Sequence, residues 1–161
     1  MAAINRSDLK ILITSADGSN TVDISKLVQT LSYFEDIFSP MITISMIVMS
    51  TGISSKKSIY QNLPIVGGER VKLTIPSNSE SNKDLEFDDL FVQSVSDYIS
   101  ETEREVFNLN LVTREAITNE TTRIGKRFPK GTPISVHVES IIREGLETDK
   151  KLNVDETMNP Y

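Results

Sequence analysis

Two apolar runs separated by Ser39-Pro40 constrain this chain more than any other feature. In residues 41–49, Ile42, Ile44, Met46 and Val48 alternate with Thr43, Ser45, Ile47 and Met49, the two-residue period that sends successive side chains to opposite faces of a strand. Residues 27–38 are apolar on both parities, with Leu27, Leu31, Tyr33 and Ile37 on one and Val28, Phe34 and Phe38 on the other. That pattern predicts a strand covered on both faces. Proline has no amide to donate to a ladder, so Ser39-Pro40 belongs in the connection and the two runs are expected to pair antiparallel.

Further strands follow from the same period. Leu9, Ile11 and Ile13 alternate with Lys10, Leu12 and Thr14 before the turn formers Ala16-Asp17-Gly18-Ser19-Asn20; Val71, Leu73 and Ile75 alternate with Lys72 and Thr74 after Gly67-Gly68. Residues 90–99 form another strand candidate, and Phe107, Leu109 and Leu111 alternate with Asn108 and Asn110, with the charged residues 100–105 turning the chain between them. Residues 54–62 read as a loop or short helix, and residues 77–84 as a mobile surface loop with nothing to bury.

Two helices are expected near the end. Residues 114–124 place Ile117 and Ile124 seven apart and run into Gly125. Thr132-Pro133 is expected to open the second helix as cap and first helical residue, with Ile134, Val138, Ile141, Ile142 and Leu146 on one face. A short strand is expected at residues 152–154. The predicted fold is mainly β (α+β), an antiparallel β-barrel or sandwich with about two peripheral helices, in one domain over residues 1–161. A chain of this length can bury roughly 70% of its unfolded surface in one core.

The composition narrows the chemistry. There is no cysteine and one histidine, His137, so disulfide frameworks, a thiol nucleophile and a zinc site are not expected. A net charge of −6, from 23 acidic and 17 basic residues, disfavours nucleic acid and anionic membranes as partners. The amino-terminal residues have no apolar core of a signal peptide, and the longest apolar run is far below the ~20 residues of a membrane-spanning helix. A soluble protein without export signal or membrane anchor is expected.

Motifs for catalysis are sparse. Val66-Gly67-Gly68-Glu69 lacks the lysine and hydroxyl of a phosphate loop and the three-glycine spacing of a dinucleotide site, and reads as a tight turn. No Gly-x-Ser-x-Gly elbow occurs. His137 reads as a partly exposed surface residue rather than a base. Asp84, Glu86 and Asp88 share one parity, as do Glu101, Glu103 and Glu105. Such trios suit a calcium-stabilised binding module or the acid pair of a cell-wall hydrolase acting on carbohydrate; as solvated strand ends they need no function. Arg123, Lys126, Arg127 and Lys130 form the one basic concentration, either a docking patch for an acidic neighbour or the exposed joint between two helices. Met41, Met46 and Met49 suit core filling or an interface.

Tyr33-Phe34-Glu35-Asp36-Ile37-Phe38-Ser39-Pro40, followed by the apolar run to Met49 and then by Asn62-Leu63-Pro64-Ile65-Val66-Gly67-Gly68-Glu69-Arg70-Val71, resembles the amino-terminal, tube-like part of the baseplate hub proteins of T4-like contractile-tailed bacteriophages. The resemblance runs from about Leu9 to the end, where Asn159-Pro160-Tyr161 is similar to a point at which such hubs continue; family members are considerably longer. It implies a tail-tube-type β-barrel and a structural virion protein, made in the host cytoplasm and placed in the tail baseplate. The implied assembly is a homotrimeric ring joining the tail tube, or a tube-initiating protein, to a central spike that in some phages carries a lysozyme. The hub itself would be no enzyme and would use no cofactor or metal. The residues that carry this reading are Tyr33, Phe34, Glu35, Ser39, Pro40, Leu63, Pro64, Gly67, Gly68, Glu69 and Arg70.

Overall fold

A computed structural model describes residues 9–39, 41–51, 65–77, 82–101 and 104–157, which fall into two compact units divided between Thr113 and Arg114. The first contains β1 (Lys10–Thr14), β2 (Thr21–Asp23), β3 (Val28–Glu35), β4 (Ile42–Ser50), β5 (Arg70–Ile75), β6 (Leu85–Glu101) and β7 (Arg104–Thr113). They form one sheet in the order β2-β1-β5-β6-β7-β4-β3, every pairing antiparallel. The second contains α1 (Arg114–Thr121) and α2 (Ile134–Leu146). The mainly β, antiparallel class with two helices, expected from the alternation, is the class observed.

One face of the sheet supplies the core. Ile11 and Ile13 of β1, Ile44, Met46 and Val48 of β4, Val71 and Leu73 of β5, Leu90 and Val92 of β6, and Phe107, Leu109 and Leu111 of β7 are buried in one cluster. Most alternate positions are polar or partly exposed, buried Val112 at the end of β7 excepted: Ser45 donates from its hydroxyl to Asn108 Oδ1 across β4 and β7, and Asn110 Nδ2 donates to Ser94 Oγ across β7 and β6. Hydrophobic-in and polar-out alternation of this kind suits an antiparallel sheet with one dry face.

The sheet is strongly curled, as the turn between β2 and β3 requires. Ile24 extends the β2 side, its amide donating to Ile11 O of β1, whereas Leu27 lies on the β3 side, its carbonyl accepting from Met49 N of β4. In a flat seven-stranded sheet these two edges would stand about 29 Å apart, at about 4.8 Å per strand. Only three residue steps join Ile24 to Leu27, a reach of at most about 11 Å, and Leu27 N donates back to Ile24 O. The edges must therefore approach one another, and buried Ile24 and Val28 plug the gap. The result is barrel-like, with the two edge strands linked by a covalent turn and no β2–β3 ladder among the described residues.

Several expectations are corrected. Residues 27–38 do not form a strand covered on both faces: β3 is an edge strand that stops at Glu35, with a bulge at Gln29 and with Thr30 and Phe34 exposed on its outer parity. Phe34, on its outer parity, is exposed because no described element covers that face of the sheet there; Ile47 of the inner strand β4 is exposed on the same face. β6 begins at Leu85, five residues before the apolar run, because pairing with β5 carries it through the acidic stretch. Helix α1 ends at Thr121 and does not reach Gly125; the Thr121 hydroxyl bonds back to Ile117 O, competing with helix continuation. Pro133 occupies the cap position of α2 with no side-chain cap, and Thr132 Oγ1 donates to Pro129 O. Residues 152–154 form no strand. The short strand β2 escaped the sequence reading. The loop or helix expected at 54–62, and Pro40, Leu63, Pro64, Glu103 and 159–161, lie outside the described residues; of the expected mobile loop, 78–81 do as well, while Ser77 N donates to Asp84 Oδ1 across its ends.

In the helical unit, Glu115 on α1 is buried and accepts hydrogen bonds from Thr148 Oγ1 at 2.7 Å and Lys150 Nζ at 3.1 Å. Burial pushes the Glu115 carboxyl up, but those donors outweigh it and hold the group below its ordinary value. Thr118 Oγ1 donates to Leu146 O, tying α1 to the end of α2. Much of the apolar face of α2 is uncovered: Ile134, Val138 and Ile141 are each at least 40% exposed, and only Ile142 and Leu146 are half-buried.

Candidate functional site

The two halves of the paired motif do different work. Tyr33, on the inward parity of β3, packs its ring at 5.8 Å from Phe87 of β6 and donates its hydroxyl to Glu35 Oε2. Partial burial, reinforced by that carboxylate, pushes the Tyr33 phenol up to about 12. Phe34 takes the outward parity and is 58% exposed. Beyond Glu35 the chain turns, with Asp36 Oδ1 accepting from Phe38 N and Asp36 O accepting from Ser39 N. That Asx-type turn holds Ile37 at 91% and Phe38 at 94% exposure. The first half is therefore a hairpin tip that presents three large apolar side chains and two carboxylates, Glu35 and Asp36, to solvent.

The second half builds the sheet. Gly67 and Gly68 have φ of +105° and +87°, a backbone region open to glycine. Glu69 is fully buried, and its carboxylate accepts from Val66 N at 2.8 Å and from Gly67 N at 3.1 Å. Gly68 N donates to Val92 O and Val92 N donates to Glu69 O, which sets β5 in register with β6. Arg70 lies over the Phe91 ring at 5.9 Å, a cation–π contact on the outer face. The tight turn read from the two glycines is present; the role of Glu69 in holding it was not read, although an acid directly after paired glycines was the available signal.

The basic concentration lies on the connection between α1 and α2. Lys126 Nζ pairs with Glu144 Oε1 at 2.5 Å and donates to Ser140 Oγ, and lies 5.6 Å from the Phe128 ring. Arg123 donates to the carbonyls of Glu120 and Thr122. Arg127 and Lys130 are exposed and make no ion pair among the described residues. Phe128 stacks on His137 with centroids 4.1 Å apart, and His137 Nε2 is buried without a hydrogen-bond partner among the described residues. Lys126, Arg127, Phe128, Pro129, Lys130 and His137 line an open cleft of about 960 Å³. A basic cleft with an aromatic floor can receive a segment that is both acidic and apolar.

The acidic trios separate. Asp88 pairs with Lys72 at 3.3 Å and Glu86 is exposed on β6, whereas Asp84 accepts from Ser77 N. Glu101 is exposed, but Glu105 is buried and accepts a hydrogen bond from the Tyr98 hydroxyl, so it is no solvated strand end. Glu105 shares the inward parity of Phe107, Leu109 and Leu111 on β7, while a bulge in β6 between Ser96 and Ile99, with Asp97 at φ +54°, shifts the register of the strand beside it. No group of three or more metal-ligating side chains occurs among the described residues, and none of their helices is long and apolar enough to cross a membrane. No protein-family model matches the sequence, and no curated protein is significantly similar to it.

Proposed function

We propose that this chain is a structural assembly subunit, of the kind that forms the central hub of a contractile phage baseplate and joins the tail tube to the central spike through a ring of copies. The observation that carries the reading is the hairpin tip: Phe34, Ile37 and Phe38 stand in water at the end of an edge strand, beside Glu35 and Asp36. Single exposed apolar residues are ordinary on protein surfaces, but three adjoining large ones mark a contact surface. The resemblance of residues 33–40 and 62–71 to baseplate hubs supplies the kind of assembly. The curled antiparallel sheet is compatible with a tube-like subunit.

The test is co-assembly. The purified chain is mixed with a tube-initiating protein and a spike protein from the same tail, and complexes are read by sedimentation and electron microscopy. The expected result is a ring-containing complex with both partners. A chain that binds neither partner and gives no ring would overturn the reading.

A further inference from the structure

We infer that the acidic, aromatic hairpin tip of one copy docks into the basic cleft of a second copy, a contact that rests on the assembly reading above and gives it an interface. Each surface is incomplete in a complementary way. The tip offers Phe34, Ile37 and Phe38 with two carboxylates, and no lysine or arginine occurs between Lys26 and Lys56 to neutralise them locally. The cleft offers the Phe128 ring and Pro129 with the charges of Arg127 and Lys130, and no acid occurs between Glu120 and Glu139. Opposite charges on the two surfaces steer encounter and fix the register of docking, while the apolar side chains supply the area removed from water.

Size and polarity also match. A cleft of about 960 Å³ lies at the upper end of the range of roughly 300–1,000 Å³ typical of binding pockets, and suits a turn carrying two or three large side chains better than a lone ion. Lys126 is already paired with Glu144, so the charges left for a partner are those of Arg127 and Lys130, equal in number to Glu35 and Asp36. Because tip and cleft are different surfaces, the contact is head-to-tail. Contacts of that type close into rings when the rotation between copies permits and otherwise extend as filaments.

The experiment is sedimentation velocity on the full chain and on two charge-reversed variants, E35K/D36K and R127E/K130E. Both variants alter exposed side chains, and circular dichroism identical to that of the parent confirms that they are folded. The parent should self-associate, more weakly as salt is raised; each variant alone should associate at least about tenfold more weakly, and their equimolar mixture should regain association between unlike copies. Phe38→Ser should weaken association about tenfold or more without changing its salt dependence. A parent that stays monomeric, variants that associate as the parent does, or a mixture that shows no rescue overturns the interface. Binding of each variant to the tube-initiating and spike proteins separates the two claims: retained binding with unchanged self-association removes this interface and leaves the hub reading standing, whereas tip-to-cleft association without either partner does the reverse.

Discussion

The Glu69 carboxylate offers the sharpest test of how the sheet is held, because its packing and its hydrogen bonding can be removed separately. It is fully buried and bonds two amides, Val66 N and Gly67 N, at the entry to β5. A hydrogen bond to a charged group contributes about 1.5–3 kcal/mol. Val66 and Gly67 are at the surface, so water recovers part of the loss when the acceptor goes, and desolvation of the carboxylate is relieved as well. The net cost of deleting both bonds should then be about 2 kcal/mol. Glu69→Met keeps the volume and removes both acceptors, and should lose that amount. Glu69→Gln keeps one acceptor oxygen and should lose about 1 kcal/mol, and Glu69→Ala, which adds a cavity, about 3 kcal/mol. In urea unfolding followed by the circular dichroism of the sheet, 2 kcal/mol is a midpoint drop on the order of 1 M at an unchanged slope. An order in which Met is as stable as Glu, or more stable than Gln, would refute the argument, since the buried carboxylate would then be a burden that packing merely tolerates.

Three other perturbations probe different parts of the first unit. Gly67→Ala places a β-carbon at φ +105° and should destabilise by about 1–3 kcal/mol even though nothing obstructs the added carbon, as urea unfolding will show. Phe107→Ala removes the largest fully buried ring and should cost about 3–5 kcal/mol in the same assay. Asp17 takes hydrogen bonds from the Ser15 hydroxyl and from the amide and hydroxyl of Ser19, which lower its carboxyl from 3.8 to about 2. Because the folded value is the depressed one, the support this turn gives is complete above about 4 and fades as pH falls toward 2. Carboxyl-carbon NMR titration should show that low midpoint, and Ser15→Ala should raise it; a midpoint near 3.8 in the parent would remove the turn's electrostatic role.

What was legible in the sequence was local. The alternation of Ile42, Ile44, Met46 and Val48 and that of Phe107, Leu109 and Leu111 gave β4 and β7 because one buried face writes a two-residue period directly into the chain. The turn at Gly18 and that at Gly67-Gly68 were legible because glycine marks backbone that few other residues adopt. Strand order was not legible. β1 pairs with β5 across more than fifty residues, and no local pattern states which strands lie at an edge. The pattern is equally silent on what covers a face, which explains the largest error: apolar residues on both parities of residues 27–38 look the same whether the outer parity is covered or left exposed.

The same ambiguity gives the hairpin tip its meaning. Had Phe34, Ile37 and Phe38 been covered by the chain, Glu35 and Asp36 among them would have been buried with them and would have needed internal donors, as Glu69 and Glu115 have. Asp36 instead uses one oxygen for the turn amide of Phe38, and among the described residues Glu35 accepts only from Tyr33. Both carboxylates keep free lone pairs facing water, next to apolar surface that burial would stabilise by roughly 25 cal/mol for each Å² removed. A partner that covers the tip must bring cations as well as an apolar floor. Within the described residues, the segment around Phe128, with Arg127 and Lys130 unpaired, has both. On the proposed reading, apolar residues that serve no core face and the charges set among them belong to one contact surface, and the charge-reversed variants test the two together.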